Sequence, residues 1–316
     1  MILDIDAAAD AIVGHHGEDL ALPDWRPVSA PSSTEPTAIE AAVRLACWRM
    51  GFDGADAQLL GRAWQRQSLR CGGFDAAHWP SDPQDFDIAP WPRSACFAPC
   101  PPALGLYVVV PDSTWVERMA RAGAPTVQLR FKSDDPETIE KEVQASVAAL
   151  RGTNTLLFIN DHWEAAVRAG AYGVHLGQED LQALTSDDLK RLRDSGTRLG
   201  LSTHGYAEML HADRYSPSYL ALGAVFATDL KRMATAPQGL GRLKRYARLM
   251  ASYPLVAIGG ISKERVDQVM ASGVGSIAVV RAVLGAEHPE EAARFLCARI
   301  QAQCRLTHRA EGPALT

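Results

Sequence analysis

After Pro102 the chain alternates eight short apolar runs, rich in β-branched residues, with helix-period stretches, and no G-x-G-x-x-G follows the first run. That pattern predicts an α/β protein, a (β/α)8 or TIM barrel preceded by a small helical N-terminal segment, over a doubly wound open sheet. The predicted strands are Leu106–Val110, Thr126–Phe131, Thr155–Ile159, Gly173–Leu176, Arg198–Ser202, Tyr219–Val225, Leu255–Ile258 and Ser276–Val280. Helical stretches fall between them at Pro136–Leu150, Ser186–Ser195, Leu240–Ser252 and Lys263–Ser272, and Pro289–Cys304 follows the last strand.

Ahead of the barrel, Thr37–Met50 places Ile39, Ala42, Val43, Ala46, Cys47 and Met50 on one helical face. Gly51 ends that helix and Ala55–Leu69 forms a second. Two helices bury little surface alone, so this unit is expected to pack on the barrel or a partner and to be dispensable for chemistry. Ala21–Pro36, rich in Pro and Ser, reads as a loop, and Trp79–Pro102, with many prolines and no period, as a linker. The expected division is 1–78 helical unit, 79–104 linker, 105–304 barrel and 305–316 tail.

An apolar fraction of 47% with 22% charged residues is ordinary for a globular chain. A net charge of −5 argues against nucleic acid or an anionic membrane as partner, so phosphate chemistry requires a local cluster of cations. The apolar runs are too short to span a bilayer, and MILDIDAAAD carries acids where a secretory signal carries bases, so a cytoplasmic protein is expected. Cys96 and Cys100 are close in sequence, but no second Cys/His pair at zinc spacing accompanies them; free thiols are expected.

In a TIM barrel, chemistry sits where strands pass into βα loops. On the second strand, period two puts Gln128, Arg130 and Lys132 on one face and Leu129 and Phe131 on the other, so an amide and two cations are expected along the inner wall. Asp161 and Asp180 follow the third and fourth strands. Each could cap a helix; together, beside cations, they suit Mg²⁺ on a diphosphate. Ser202 can donate to a phosphate or leaving oxygen. His204 lacks a visible Asp partner, which argues against a Ser-His triad and for a strand-end hydrogen bond. Gly259-Gly260 after strand seven and the amides after strand eight occupy the usual phosphate position of such barrels.

The strings VQLRFK (Val127–Lys132), FIND (Phe158–Asp161), GVHLGQED (Gly173–Asp180), GLSTH (Gly200–His204), APQGL (Ala236–Leu240) and VAIGGI (Val256–Ile261) resemble the thiamine phosphate synthase family across the whole barrel. The resemblance implies condensation of 4-amino-2-methyl-5-hydroxymethylpyrimidine diphosphate with a hydroxyethylthiazole phosphate, or its carboxylated precursor, to thiamine phosphate and diphosphate. It implies that Gln128, Leu129, Arg130, Phe131 and Lys132, with Asn160, Ser202 and Lys231, hold the pyrimidine diphosphate. Arg130, Lys132, Ser202 and Lys231 would be catalytic among them. It further implies Mg²⁺ on Asp161 and Asp180, and the thiazole phosphate on Thr228, Asp229, Leu230, Gly259, Val280 and Arg281. Small-molecule substrates, no nucleic acid or membrane, and at most a second copy of the chain are the partners expected.

Two departures concern the acceptor. The family reads P-T-x-T-K where this chain has Ala227-Thr228-Asp229-Leu230-Lys231, losing a hydroxyl at Leu230, and it has Ser where Arg281 stands. A thiazole tautomerase-like barrel and a non-catalytic binder of thiamine precursors are the competing functions. Residues Thr34–Phe74 also faintly resemble the C-terminal end of hydroxymethylpyrimidine phosphate kinase, without its Gly-Thr-Gly-Cys, near Ser33-Thr34-Glu35-Pro36; that implies a remnant without kinase activity.

Overall fold

The structure is a computed structural model that describes residues 3–22, 25, 37–228 and 235–310. Ser33–Pro36, Asp229, Leu230 and Lys231, most of the predicted Ala21–Pro36 loop and the end of the predicted tail lie outside the described residues.

Eight parallel strands close into a barrel in chain order. They are β1 (Gly105–Val110), β2 (Thr126–Leu129), β3 (Leu156–Asn160), β4 (Gly173–Leu176), β5 (Arg198–Thr203), β6 (Tyr219–Leu222), β7 (Leu255–Ile258) and β8 (Ser276–Val279). All eight predicted strands are present, but β2 and β6 stop short of Phe131 and Val225. In β2 the ladder with β1 ends at Val110↔Leu129, and only the Arg130 N–H reaches back, to the Val110 carbonyl at 2.8 Å. The predicted helix Lys263–Ser272 is a 3₁₀ turn, Lys263–Arg265, running into a short α-helix, Val266–Met270.

Inside the barrel, size alternates with depth. Tyr107, Phe158 and Tyr219 fill the floor, while Ala221 and Ala278 stand one inward position higher. Two glycines admit these rings. Phe158 pairs with Gly173 across β3 and β4, and Tyr219 with Gly200 across β5 and β6. A Cβ on Gly173 would lie 2.3 Å from the Phe158 ring, and one on Gly200 2.1 Å from the Tyr219 ring. Gly200→Ala should therefore destabilise by about 1–3 kcal/mol or more, because neither ring has a free rotamer in a closed floor. A melting temperature equal to the parent's would show that the floor can repack.

Three helices precede the barrel: α1 (Ile5–Leu20), α2 (Ala38–Arg49) and α3 (Gly54–Cys71). The sequence predicts α2 and α3 well because their caps are strong. Thr37 and Glu40 form a capping box, Asp53 accepts from the Asp56 N–H, and Gly72 closes α3 in the left-handed region. Helix α1 was not foreseen; its buried stripe, Ala8, Ile12, His16 and Leu20, has the right spacing but contains a small residue and a histidine. The stretch expected as a linker runs over the barrel with Trp79, Phe86, Ile88 and Phe97 buried in the same core as the three helices and the barrel's outer face. Arg93 fastens it, donating at 2.8 Å to both the Asp213 carboxylate and carbonyl. Burying each such aromatic contributes about 1.5–3 kcal/mol, enough to hold a Pro-rich segment that lacks helix or strand of its own. All six cysteines are free thiols.

Candidate active site

The small upper layer leaves a cavity of about 600 Å³ at the C-terminal mouth of the barrel. From the β2–β5 arc, Gln128, Arg130, Asn160, Asp161, Asp180 and Ser202 line it. From the opposite arc come Thr228, Gly259, Val280 and Arg281. The lining omits Leu129, Phe131 and Lys132. Leu129 is buried in the outer core, Phe131 packs against it, and Lys132 is exposed, because period two lapses once β2 ends at Leu129.

The inward positions of β2 and β3 hold each other: the Gln128 amide donates to the Asn160 side-chain oxygen at 2.8 Å. The next residue, Asp161, takes φ of 64°, a strained conformation for a side chain of its type outside a turn cap. It is not the cap of the following helix, whose N-cap is His162. Its carboxyl is pushed up to about 6, first by burial and then by Asp180, which lies within hydrogen-bonding reach. Asp180 itself sits in the first turn of Gln178–Ala183 and accepts the Gly177 N–H at 3.1 Å. Two carboxylates held this close beside Arg130 have the donor chemistry to share one divalent cation. With no third His, Cys, Asp or Glu joining them among the described residues, the set matches Mg²⁺ completed by water and phosphate oxygens rather than an all-protein cage.

A buried relay was not anticipated. Ser202 Oγ lies 2.8 Å from His175 Nε2, His175 Nδ1 lies 2.7 Å from the Tyr219 hydroxyl, and that hydroxyl lies 2.8 Å from Tyr107's. Burial drives both tyrosines above their ordinary range, so both stay protonated. Two proton arrangements fit this chain: Tyr219 donates to Nδ1 and Nε2–H donates to Ser202, or Tyr219 donates to Tyr107, Nδ1–H donates to Tyr219 and Ser202 donates to Nε2. The available signal was parity, since His175 shares the inward face of Gly173. His204 makes the local bond expected of it, 2.6 Å from Glu208 Oε2, and also lines the cavity.

On the far arc, Gly259 and Gly260 have φ of 103° and 63°. A Cβ on Gly259 would lie 2.5 Å from the Ala224 Cβ, so the turn is pressed against the segment after β6 and only glycine fits. This leaves bare backbone at the phosphate position of the barrel.

A closed barrel whose mouth gathers a carboxylate pair, a guanidinium and a Gly-Gly turn defines a TIM-barrel enzyme acting on phosphorylated small molecules. The model of the thiamine monophosphate synthase family matches residues 106–283, and the chain belongs to that family. A thiamine-phosphate synthase of Neisseria meningitidis serogroup A is 50% identical over 194 residues, 61% of this chain and 93% of the relative. One from Citrobacter koseri is 50% identical over 202 residues, 64% of this chain and 94% of the relative. The solved thiamine phosphate pyrophosphorylase from Pyrococcus furiosus matches with a TM-score of 0.55 at 29% identity, covering 63% of this chain and 96% of that one.

Proposed function

We propose that the chain is a transferase that joins 4-amino-2-methyl-5-hydroxymethylpyrimidine diphosphate to hydroxyethylthiazole phosphate, releasing diphosphate and forming thiamine phosphate. The observation that carries this reading is the division of one cavity into two phosphate-handling arcs, Asp161/Asp180 with Arg130 opposite Gly259-Gly260 with Arg281. A single-substrate barrel needs one such arc; a condensation of two phosphorylated substrates needs both.

The chemistry asks for departure of diphosphate from a pyrimidine methylene, leaving a stabilised cation that the thiazole nitrogen attacks. No covalent nucleophile is required. Arg130 neutralises the leaving oxygens, Ser202 presents its hydroxyl to them, and Gln128 and Asn160 hold the pyrimidine side by side with the acceptor. Lys231 adds positive charge. Asp161 and Asp180 would hold Mg²⁺, which when bound supplies further neutralisation of the diphosphate. Backbone groups at Gly259 and Val280, with Thr228 and Arg281, bind the thiazole phosphate. We place the reaction in the cytoplasm; no helix among the described residues is long and apolar enough to cross a membrane.

Incubating the chain with both substrates and Mg²⁺ should yield thiamine phosphate and diphosphate in equal amounts. Isomerisation of a thiazole substrate without condensation would favour the tautomerase reading, and binding without turnover the sensor reading. Arg281 supplies a narrower expectation. A charge-assisted contact is worth about 1.5–3 kcal/mol, but Arg281 is exposed, and solvent screens it. Arg281→Ser should raise the Michaelis constant for thiazole phosphate on the order of tenfold or less, leaving that for the pyrimidine diphosphate unchanged. Equal shifts in both constants would place Arg281 elsewhere in the cycle.

A further inference from the structure

Helices α1–α3 lie outside the stretch matched by the family, yet they pack on two barrel helices, Tyr206–Asp213 and Gly239–Leu249. The first point of contact is Asp56 of α3, only 3% exposed. Its carboxyl accepts the Ala207 N–H at 2.7 Å and lies beside the Tyr206 N–H, the opening amides of the barrel helix Tyr206–Asp213. That helix has Gly205 as N-cap and so no capping side chain of its own. A Cβ on Gly205 would lie 2.4 Å from Asp56 Oδ2, so Gly205 makes room for a cap supplied by the N-terminal unit. Gly205 directly follows Ser202, Thr203 and His204, all of which line the cavity.

The second point runs the other way. Arg242, on the barrel helix Gly239–Leu249, is 3% exposed and donates to the Leu20 and Met50 carbonyls at 3.0 and 2.9 Å, the C-terminal ends of α1 and α2. Its remaining nitrogen donates to Gln238 Oε1 at 3.2 Å, and its guanidinium lies 3.6 Å over the Phe52 ring. The Gln238 N–H in turn donates at 2.8 Å to the carbonyl of Ala224, a cavity-lining residue. Gly241 marks the close approach, since a Cβ there would lie 2.0 Å from the Asp19 carbonyl. Between the two points Phe52, Trp79 and Phe86 pack on Tyr206, with the Trp79 indole donating to its hydroxyl at 3.0 Å.

We propose that the N-terminal helical unit is a positioning element for the barrel's reaction, holding through Asp56 and Arg242 the segments after β5 and β6 that line the substrate cavity. This replaces the expectation that the unit is dispensable for chemistry, and it rests on the function proposed above. Asp56 and Arg242 touch no substrate; they fix where Ser202, His204 and the Gly223–Thr228 segment stand. Small misplacements of such groups lower turnover more than affinity.

The test uses the full chain with Asp56→Ala, Asp56→Asn and Arg242→Lys. Asparagine keeps an acceptor oxygen for the two amides, and lysine keeps the charge while losing the fork that spans two carbonyls. Turnover should fall about tenfold or more in Asp56→Ala and Arg242→Lys, with Michaelis constants within about threefold, and Asp56→Asn should recover to within about threefold of the parent. Hydrogen exchange, which needs no turnover, should quicken at 202–207 in Asp56→Ala and at 223–228 in Arg242→Lys. Parent-like turnover in both folded variants, or unchanged exchange in those segments, would refute the positioning role. Failure of the parent chain to form thiamine phosphate would instead refute the proposed function, and the exchange result would then be read alone.

Discussion

Replacing Asp161 by Ala, or chelating divalent metal with EDTA, should slow thiamine phosphate formation by roughly 10³-fold with the fold intact. Neutralising a departing diphosphate is worth several kcal/mol, and each 1.36 kcal/mol is tenfold in rate. Asp161 lies at the cavity wall rather than in the packed core, so its truncation leaves the barrel standing. The pH behaviour follows from its raised carboxyl, which is displaced from 3.8 to about 6 by burial and by Asp180. In metal-free protein the folded state keeps a proton that the unfolded chain has released, so this residue's contribution to stability is lost as pH rises between those values. Because Asp161 is exposed, solvent screening keeps that contribution small. Asp161→Asn should flatten that part of the melting profile. Protons compete with the metal below about 6, so the Mg²⁺ concentration needed for half-maximal rate should rise about tenfold per pH unit there. Full activity in EDTA, or a metal requirement independent of pH, would remove Asp161 and Asp180 from the metal site.

Arg130→Ala should cost roughly 10²-fold in turnover, the usual consequence of deleting one pre-positioned donor to developing negative charge. The side chain enters the cavity just beyond β2, and its backbone N–H is tied to the Val110 carbonyl at 2.8 Å, so the guanidinium starts from a fixed point. Arg130→Lys should restore only part of the loss, since an ammonium cannot make the planar two-point contact with a diphosphate. The Michaelis constant for the pyrimidine diphosphate should rise and that for thiazole phosphate should not. The reverse pattern would assign Arg130 to the acceptor.

Much of this was legible in the residues because barrel strands obey simple rules. A parallel strand covered by helices reads as a short apolar run, and period two at its end names what faces the axis. Parity placed Gln128 and Arg130, and position at a strand end or the following loop placed Asn160, Asp161, Ser202 and Gly259, all of which line the cavity. The caps of α2 and α3 are likewise local, a matter of Thr37, Glu40, Asp53 and Gly72 against backbone amides and carbonyls within a few residues.

Tertiary structure decided the rest, wherever the determining contact joins residues far apart in the chain. Lys132 turned out to be exposed because the length of β2 depends on where β1 stops pairing, which no window around Lys132 contains. His175 gains its place through Tyr219 and Ser202, 44 and 27 residues away. The Pro-rich stretch lacks a period of its own, and its seat is set by Asp213 and by the aromatic residues that bury Trp79 and Phe86. Sequence alone placed the eight strands and the loops that follow them, because each is a short apolar run bounded by its own turn residues. How the N-terminal helices grip the barrel is decided by a buried carboxylate and a buried guanidinium, whose partners are backbone groups, and backbone groups leave no signature in the sequence.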